Sequence, residues 1–237
     1  MSHSAALRQS IQEGETWDAM TLQGMHGGVL FINGNEVSAE NGDRSLVLPG
    51  EVSIAAYPEE FKNWGAANIN GVEVYNVFTN ARRINPVVAF FDVLWSQRSY
   101  PDLIFALSLR RPDESLKKWD QASTRARLTA TAGNDAHQNI GVSLKDSAGK
   151  TLLGIQLDPY ATSFRLVRLH VLVEQGTALD ATSLMETVRA GHCFIGFDFL
   201  GDASGFVFEA ENAGERKIQG DEISLKPETR LRVRSPL

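Results

Sequence analysis

The sequence predicts an α/β fold, a parallel sheet with covering helices, followed by a short all-β segment. Three observations carry this. Short apolar runs of strand length recur at 29–32, 53–56, 71–76, 102–108 and 129–133, and helical spacing fills the stretches 85–97 and 112–127 between them. From Gly205 onward the pattern changes to two-residue alternation without helices. At 237 residues, with 43% hydrophobic and 22% charged side chains, the chain is long enough for one large domain with an appendage. The division falls at 1–200 and 201–237.

Ser4 to Glu13 reads as a short amphipathic helix with Leu7 and Ile11 on one face, and a second helix runs from Thr16 past Met25 to stop at Gly27-Gly28. Val29 to Ile32 is a continuous apolar run, suited to a strand covered on both faces, and leads to Glu36 just beyond its end. Ser53 to Ala56 repeats the plan and ends at Tyr57-Pro58-Glu59; Gly71 to Asn76 does so again, with Arg82 and Arg83 close behind. Asp102 to Ser108 and Thr129 to Gly133 complete the series. In a parallel α/β barrel, function collects at the C-terminal strand ends, where Glu36, Tyr57, Asn76, Asp135 and His137 all fall.

Beyond His137 the polar, Gly- and Ser-punctuated stretch 138–151 predicts a long loop, and Phe164 to Val173 a strand with His170 as a core or surface histidine. Asp180 caps a helix running to Arg189 and closed by Gly191; His192 to Phe197 is a further strand. Phe206, Phe208, a turn at Asn212-Ala213-Gly214 and the alternation through Val233 predict a hairpin or partial sandwich.

Charge and cysteine usage narrow the function classes. A net charge of −6 argues against a nucleic-acid surface. One cysteine, Cys193, excludes an internal disulfide and a multi-cysteine zinc cluster. Its apolar surroundings suit an inert buried thiol. No apolar run has the length of a membrane span and residues 1–20 lack signal-peptide character, so a cytoplasmic protein is the expectation.

The stretch Thr129 to His137 holds the densest ligand chemistry. Asp135 and His137, two positions apart on extended backbone, can share a face, and a carboxylate with an imidazole suits zinc, iron or manganese better than calcium.

Ala132-Gly-Asn-Asp-Ala-His137 resembles the Gly-Ser-Asp-Ala-His signature of the PHP superfamily, the polymerase and histidinol phosphatase group of metal-dependent phosphoesterases. Gly34-Asn-Glu-Val-Ser38 resembles its Gly-x-Glu strand end, Ala56-Tyr-Pro-Glu59 its Ala-His-Pro-Glu, Gly71-Val-Glu-Val-Tyr-Asn76 its Gly-x-Glu-x-x-Asn, and Arg189-Ala-Gly-His192 the segment before its last strand. The likeness spans about residues 29 to 208. It implies a distorted TIM-like barrel of seven βα units that binds two or three divalent metals and hydrolyses a small phosphate ester. Glu36, Asp135 and His137 would be metal ligands; Asn76, Tyr57, Arg82 and Arg83 would face the substrate.

The departures are as informative. The family's opening His-x-His and Asp-His strands have no counterpart, and Tyr57 stands where the family has a histidine. A phenol of pKa about 10 is a poor neutral-pH ligand. The chain is thus expected to lack the first two barrel strands, or to be a degenerate member; Tyr57 favours degeneration, since truncation does not change an internal residue. With only three family ligands left, metal is expected at reduced occupancy or lost. The activity is expected to be weak or absent, the alternative being a non-catalytic binding module. An incomplete barrel exposes a strand edge, which favours a homo-oligomer.

Overall fold

The computed structural model describes residues 23–65, 68–81, 91, 95–96, 99–100, 103–106, 109–137, 141–145, 151–156 and 159–236, the two segments between 141 and 156 by their backbone alone. At its centre is a mixed five-stranded sheet in the order β3-β4-β5-β6-β7. Its strands are β3 (Asn35–Ser38), β4 (Arg44–Leu48), β5 (Val52–Ala56), β6 (Gly71–Asn76) and β7 (Thr129–Gly133), preceded by the hairpin of β1 (Gly24–His26) and β2 (Val29–Phe31). Strands β5, β6 and β7 run parallel, whereas β3, β4 and β5 are antiparallel neighbours.

This corrects the predicted fold class: no (βα)7 TIM-like barrel closes among the described residues. The reason lies in the connections. Parallel neighbours need a crossover of a dozen or more residues, usually helical. Only five residues separate β3 from β4, with Gly42 at φ 90°, and a single 3₁₀ turn, Pro49–Glu51, separates β4 from β5. Those links can only fold the chain back on itself.

Two helices cover the parallel half. On one face, Asp113–Ser123 lays Leu116, Trp119 and Ala122 on Val72, Val74 and Leu128. On the other, Ala181–Arg189 packs Met185 against Val52 and Ile54, with Leu46 and Leu48 beside them. The latter helix begins as its sequence requires: Asp180 Oδ1 accepts the Ser183 N–H at 2.8 Å, and Ser183 Oγ accepts the Asp180 N–H at 3.2 Å, a reciprocal cap. A third cluster joins Tyr75, Val77, Phe105, Leu166 and Val167.

Several element expectations change with the sheet. Gly24–His26 is a strand where a helix was predicted, pairing with Val29–Phe31 across Gly27-Gly28, both at positive φ as a tight hairpin turn demands. Leu103–Ala106 is helical rather than extended. The stretch 138–151 predicted as loop contains β8 (Gly141–Lys145), which pairs antiparallel with β9 (Thr151–Gln156). The start of the expected strand 164–173 belongs to the helix Tyr160–Leu166, leaving β10 (Arg168–Val171) to pair with β11 (Cys193–Gly196). The predicted helix 4–13 and most of 85–97 lie outside the described residues.

Near the C-terminus β12 (Val207–Asn212) is flanked by β13 (Glu215–Ile218) and β14 (Arg230–Arg234), both antiparallel to it. Ala213 and Gly214 make the turn at φ 46° and 87°. Among the described residues no helix is long and apolar enough to cross a membrane.

Candidate functional site

The register of the central sheet decides which side chains share a face. Glu36 pairs with Leu46, Leu46 with Ile54 and Ile54 with Gly71; one step on, Arg44 pairs with Ala56. Directly paired residues point the same way, so Glu36 and Arg44 lie on the face that carries Ile54 and, two residues beyond Gly71, Glu73. Strand β6 then bulges: Glu73 pairs with Thr131 and Tyr75 with Ala132, so Val74 is the extra residue. The bulge turns Tyr75 into the opposite core, against Phe197 at 4.9 Å between ring centroids, and returns Asn76, opposite Gly133, to the face of Glu73.

At the C-terminal ends of β6 and β7, Glu73, Asn76 and Asp135 come together. Asn76 Nδ2 donates to Glu73 Oε2 at 3.3 Å and to Asp135 Oδ2 at 3.4 Å. The amide cannot turn over, because its Oδ1 caps the next helix by accepting the Thr79 N–H at 2.9 Å. Glu73 is 8% exposed. Burial, with Asp135 and Glu36 nearby and only the Asn76 contact opposing, pushes its carboxyl up to about 7.

Asp135 and Tyr57 both hold positive φ, 49° and 50°, in a region that side chains other than glycine enter at a cost. His137 Nδ1 lies 2.7 Å from the Asp135 carbonyl oxygen. A carbonyl only accepts, so Nδ1 carries a proton, and Nε2 is the ring nitrogen through which this imidazole would bind a metal. Arg44 lies 3.4 Å from Glu36 Oε1 and 4.8 Å above the centre of the Tyr57 ring. The phenol is raised above its usual value, by burial first and then by Asp135 and Glu36, so it is neutral at pH 7. Beside the carboxylates lies a cavity of about 130 Å³, lined by Tyr57, Glu59, Glu73, Asn76, Thr79 and Ser115 among others.

The sequence-predicted residues Glu36, Tyr57, Asn76, Asp135 and His137 therefore belong to one neighbourhood, with Glu36 on an antiparallel strand rather than at a parallel strand end. Arg82 and Arg83 lie outside the described residues. Sequence reasoning missed Glu73 and Arg44. A charge inside the apolar strand Gly-Val-Glu-Val-Tyr was the available signal for Glu73; Arg44 lies on a strand that no apolar run announced.

Glu36, Glu73, Asp135 and the Nε2 of His137 are donors of the kind that suits one hard or borderline divalent cation, and Glu73 is a buried carboxylate with no cationic partner among the described residues. The side chains are not drawn together: among the described residues no group of three or more His, Cys, Asp or Glu is placed to hold a metal ion. Comparison with protein-family models, with curated proteins and with solved structures finds no match for the chain.

Proposed function

We propose that the chain is a PHP-like hydrolase of a small phosphate ester that depends on one divalent cation, zinc, manganese or iron. The observation that carries this reading is Glu73, a carboxylate buried beside Asp135 and Glu36 and raised to about 7 with no described cation against it. Buried negative charge of this kind is costly unless it meets a cation or a proton, and sites that keep such a cost are frequently functional.

Glu73 and Asp135 would hold the cation, with Glu36 and the Nε2 of His137 completing its donors. When bound, it would supply positive charge to the phosphoryl oxygens. The remaining steps belong to the chain. Arg44 would bind a phosphate oxygen in exchange for its exposed contact with Glu36. Asn76 fixes the spacing of Glu73 and Asp135. Cation binding would displace the proton that the buried Glu73 carboxyl, raised to about 7, otherwise holds. The neutral, half-buried Tyr57 would bound the substrate cavity, and a cavity of this size limits the enclosed part of the ligand to a small group. The cytoplasm, where phosphorylated metabolites are abundant, is the location this reading favours.

The test is hydrolysis of p-nitrophenyl phosphate by the full chain with and without Zn²⁺, Mn²⁺ or Fe²⁺. The reading expects cation-dependent turnover that falls about a hundredfold or more in Asp135→Ala. Turnover that EDTA leaves unchanged contradicts it. A second reading, a non-catalytic binding module, rests on the separation of the carboxylates and the Arg44–Glu36 pair. It expects the phosphate ester to bind without turnover.

A further inference from the structure

One side of the C-terminal sheet is open. In the order β13-β12-β14, the strand β14 pairs with β12 alone. All five of its residues, Arg230–Arg234, are exposed. On the side away from β12, none of its N–H or C=O groups meets a backbone partner among the described residues. Such a row of unpaired main-chain donors and acceptors is a template for a further strand.

The side chains along this edge sort by face. Arg230, Arg232 and Arg234 pair with Glu211, Glu209 and Val207, so the three arginines share one face; Leu231 and Val233, opposite Ala210 and Phe208, share the other. Leu231 and Val233 are 68% and 60% exposed. On the charged face Glu209 accepts from Arg216 of β13 and lies 3.9 Å from Arg232. Arg230 and Arg234 have no hydrogen bond or ion pair among the described residues. The chain as a whole carries a net charge of −6, yet β14, Arg-Leu-Arg-Val-Arg, is purely basic and apolar.

We infer that β14 is the docking edge for an extended segment of a partner protein in which acidic and apolar residues alternate. Added beside β14, such a segment takes up the open main-chain groups, sets its carboxylates next to Arg230, Arg232 and Arg234, and lays its apolar residues against Leu231 and Val233. Main-chain bonding supplies affinity, and the charged row supplies the choice of partner. The same row disfavours a second copy of this chain. Symmetric antiparallel pairing of two β14 strands sets Arg232 against Arg232 and Arg230 against Arg234, and like charges directly opposite one another destabilise a sheet. The inference does not depend on the proposed hydrolase activity, because β14 shares no residue with the carboxylate rim.

The test titrates the full chain into fluorescein-labelled Glu-Val-Glu-Val-Glu, matched in length to β14, and follows anisotropy, while amide shifts of the ¹⁵N-labelled chain locate the contact. Expected are saturable binding and shifts at residues 230–234, with the Asn76 side-chain amide unmoved. Lys-Val-Lys-Val-Lys should bind about tenfold more weakly or not at all. The acidic peptide N-methylated at every residue keeps its charge but cannot donate to the edge, and it too should lose about tenfold or more. Arg230→Gln combined with Arg234→Gln leaves the Arg232–Glu209 contact in place and should weaken the acidic peptide about tenfold. An amide spectrum of that double variant that matches the parent outside β14 separates lost recognition from lost folding. Absence of saturable binding in the parent, equal binding of the lysine or N-methylated peptide, or full binding by the folded double variant would overturn the inference. Equal binding of oligothymidylate would overturn it as well, by making the arginines a phosphate site.

Discussion

The carboxylate of Glu73 lies against the α-carbon of Gly133 so closely that a Cβ there would collide with Oε1. Glycine at that position is what lets a charged side chain occupy the sheet face beside β7. Gly133→Ala should therefore displace Glu73 and break its contact with Asn76. Overpacking of this kind costs about 1–3 kcal/mol. Urea denaturation should show that loss, and cation binding should weaken more than tenfold; a variant with parent stability and affinity would mean that Glu73 is free to move aside.

The titration of Glu73 gives stability a defined pH dependence. Its folded pKa of about 7 stands above the ordinary value of 4.5. A raised folded pKa contributes stability that is complete below pH 4.5 and is lost as pH rises through 7. The difference of 7 − 4.5 units corresponds to roughly 3 kcal/mol at 1.36 kcal/mol per unit. Glu73→Gln should accordingly stabilise the cation-free protein at pH 8 by about that order and leave it almost unchanged at pH 4. Equal effects at both pH values would assign the raised pKa to something other than the folded state.

Asp135 pays for its position through its backbone, at φ 49°. Asp135→Gly should relieve strain on the order of 1 kcal/mol. It also removes a charge that raises Glu73, so the Glu73 carboxyl should titrate lower. The expected result is a higher Tm in the absence of cation together with lost cation binding. A lower Tm would show that the Asn76 contact outweighs the strain.

Asp43 holds the loop beside the sheet. Its carboxylate, 6% exposed, accepts the backbone N–H groups of Lys62 and Asn63, each at 2.8 Å, and the Asn41 amide at 2.8 Å. Burial raises its pKa, but these hydrogen bonds and Lys62 together hold it below the usual value. A depressed folded pKa gives stability that is present above 3.8 and lost as pH falls through the folded value. Asp43→Ala should cost about 1–3 kcal/mol at pH 7, since it removes the acceptor of the Lys62 and Asn63 N–H groups. Stability loss below 1 kcal/mol by denaturant titration would show that water replaces the carboxylate.

The parallel half of the sheet was legible because its strands are short apolar runs with punctuated ends: Gly71–Asn76 and Thr129–Gly133 coincide with the predicted runs. The helix from Asp180 was legible for the same kind of reason, a cap and a closing glycine. The antiparallel half was not. β4, Arg-Ser-Leu-Val-Leu, is half polar and pairs only through its neighbours, so the turn dipeptide Asn41-Gly42 stands beside a strand that no long apolar run marks. The site was legible in part. Asp135 and His137 declared themselves by type and spacing, but the bulge that puts Glu73 and Asn76 on one face depends on pairing with β7, which no local pattern encodes.

The central claim is that the carboxylate rim holds one divalent cation, and elemental analysis after incubation with zinc, manganese and iron followed by desalting tests it most directly. The claim predicts one equivalent of metal in the parent and none in Asp135→Ala or Glu73→Gln, each shown to be folded. A parent chain without metal, or variants that retain it, would contradict the claim.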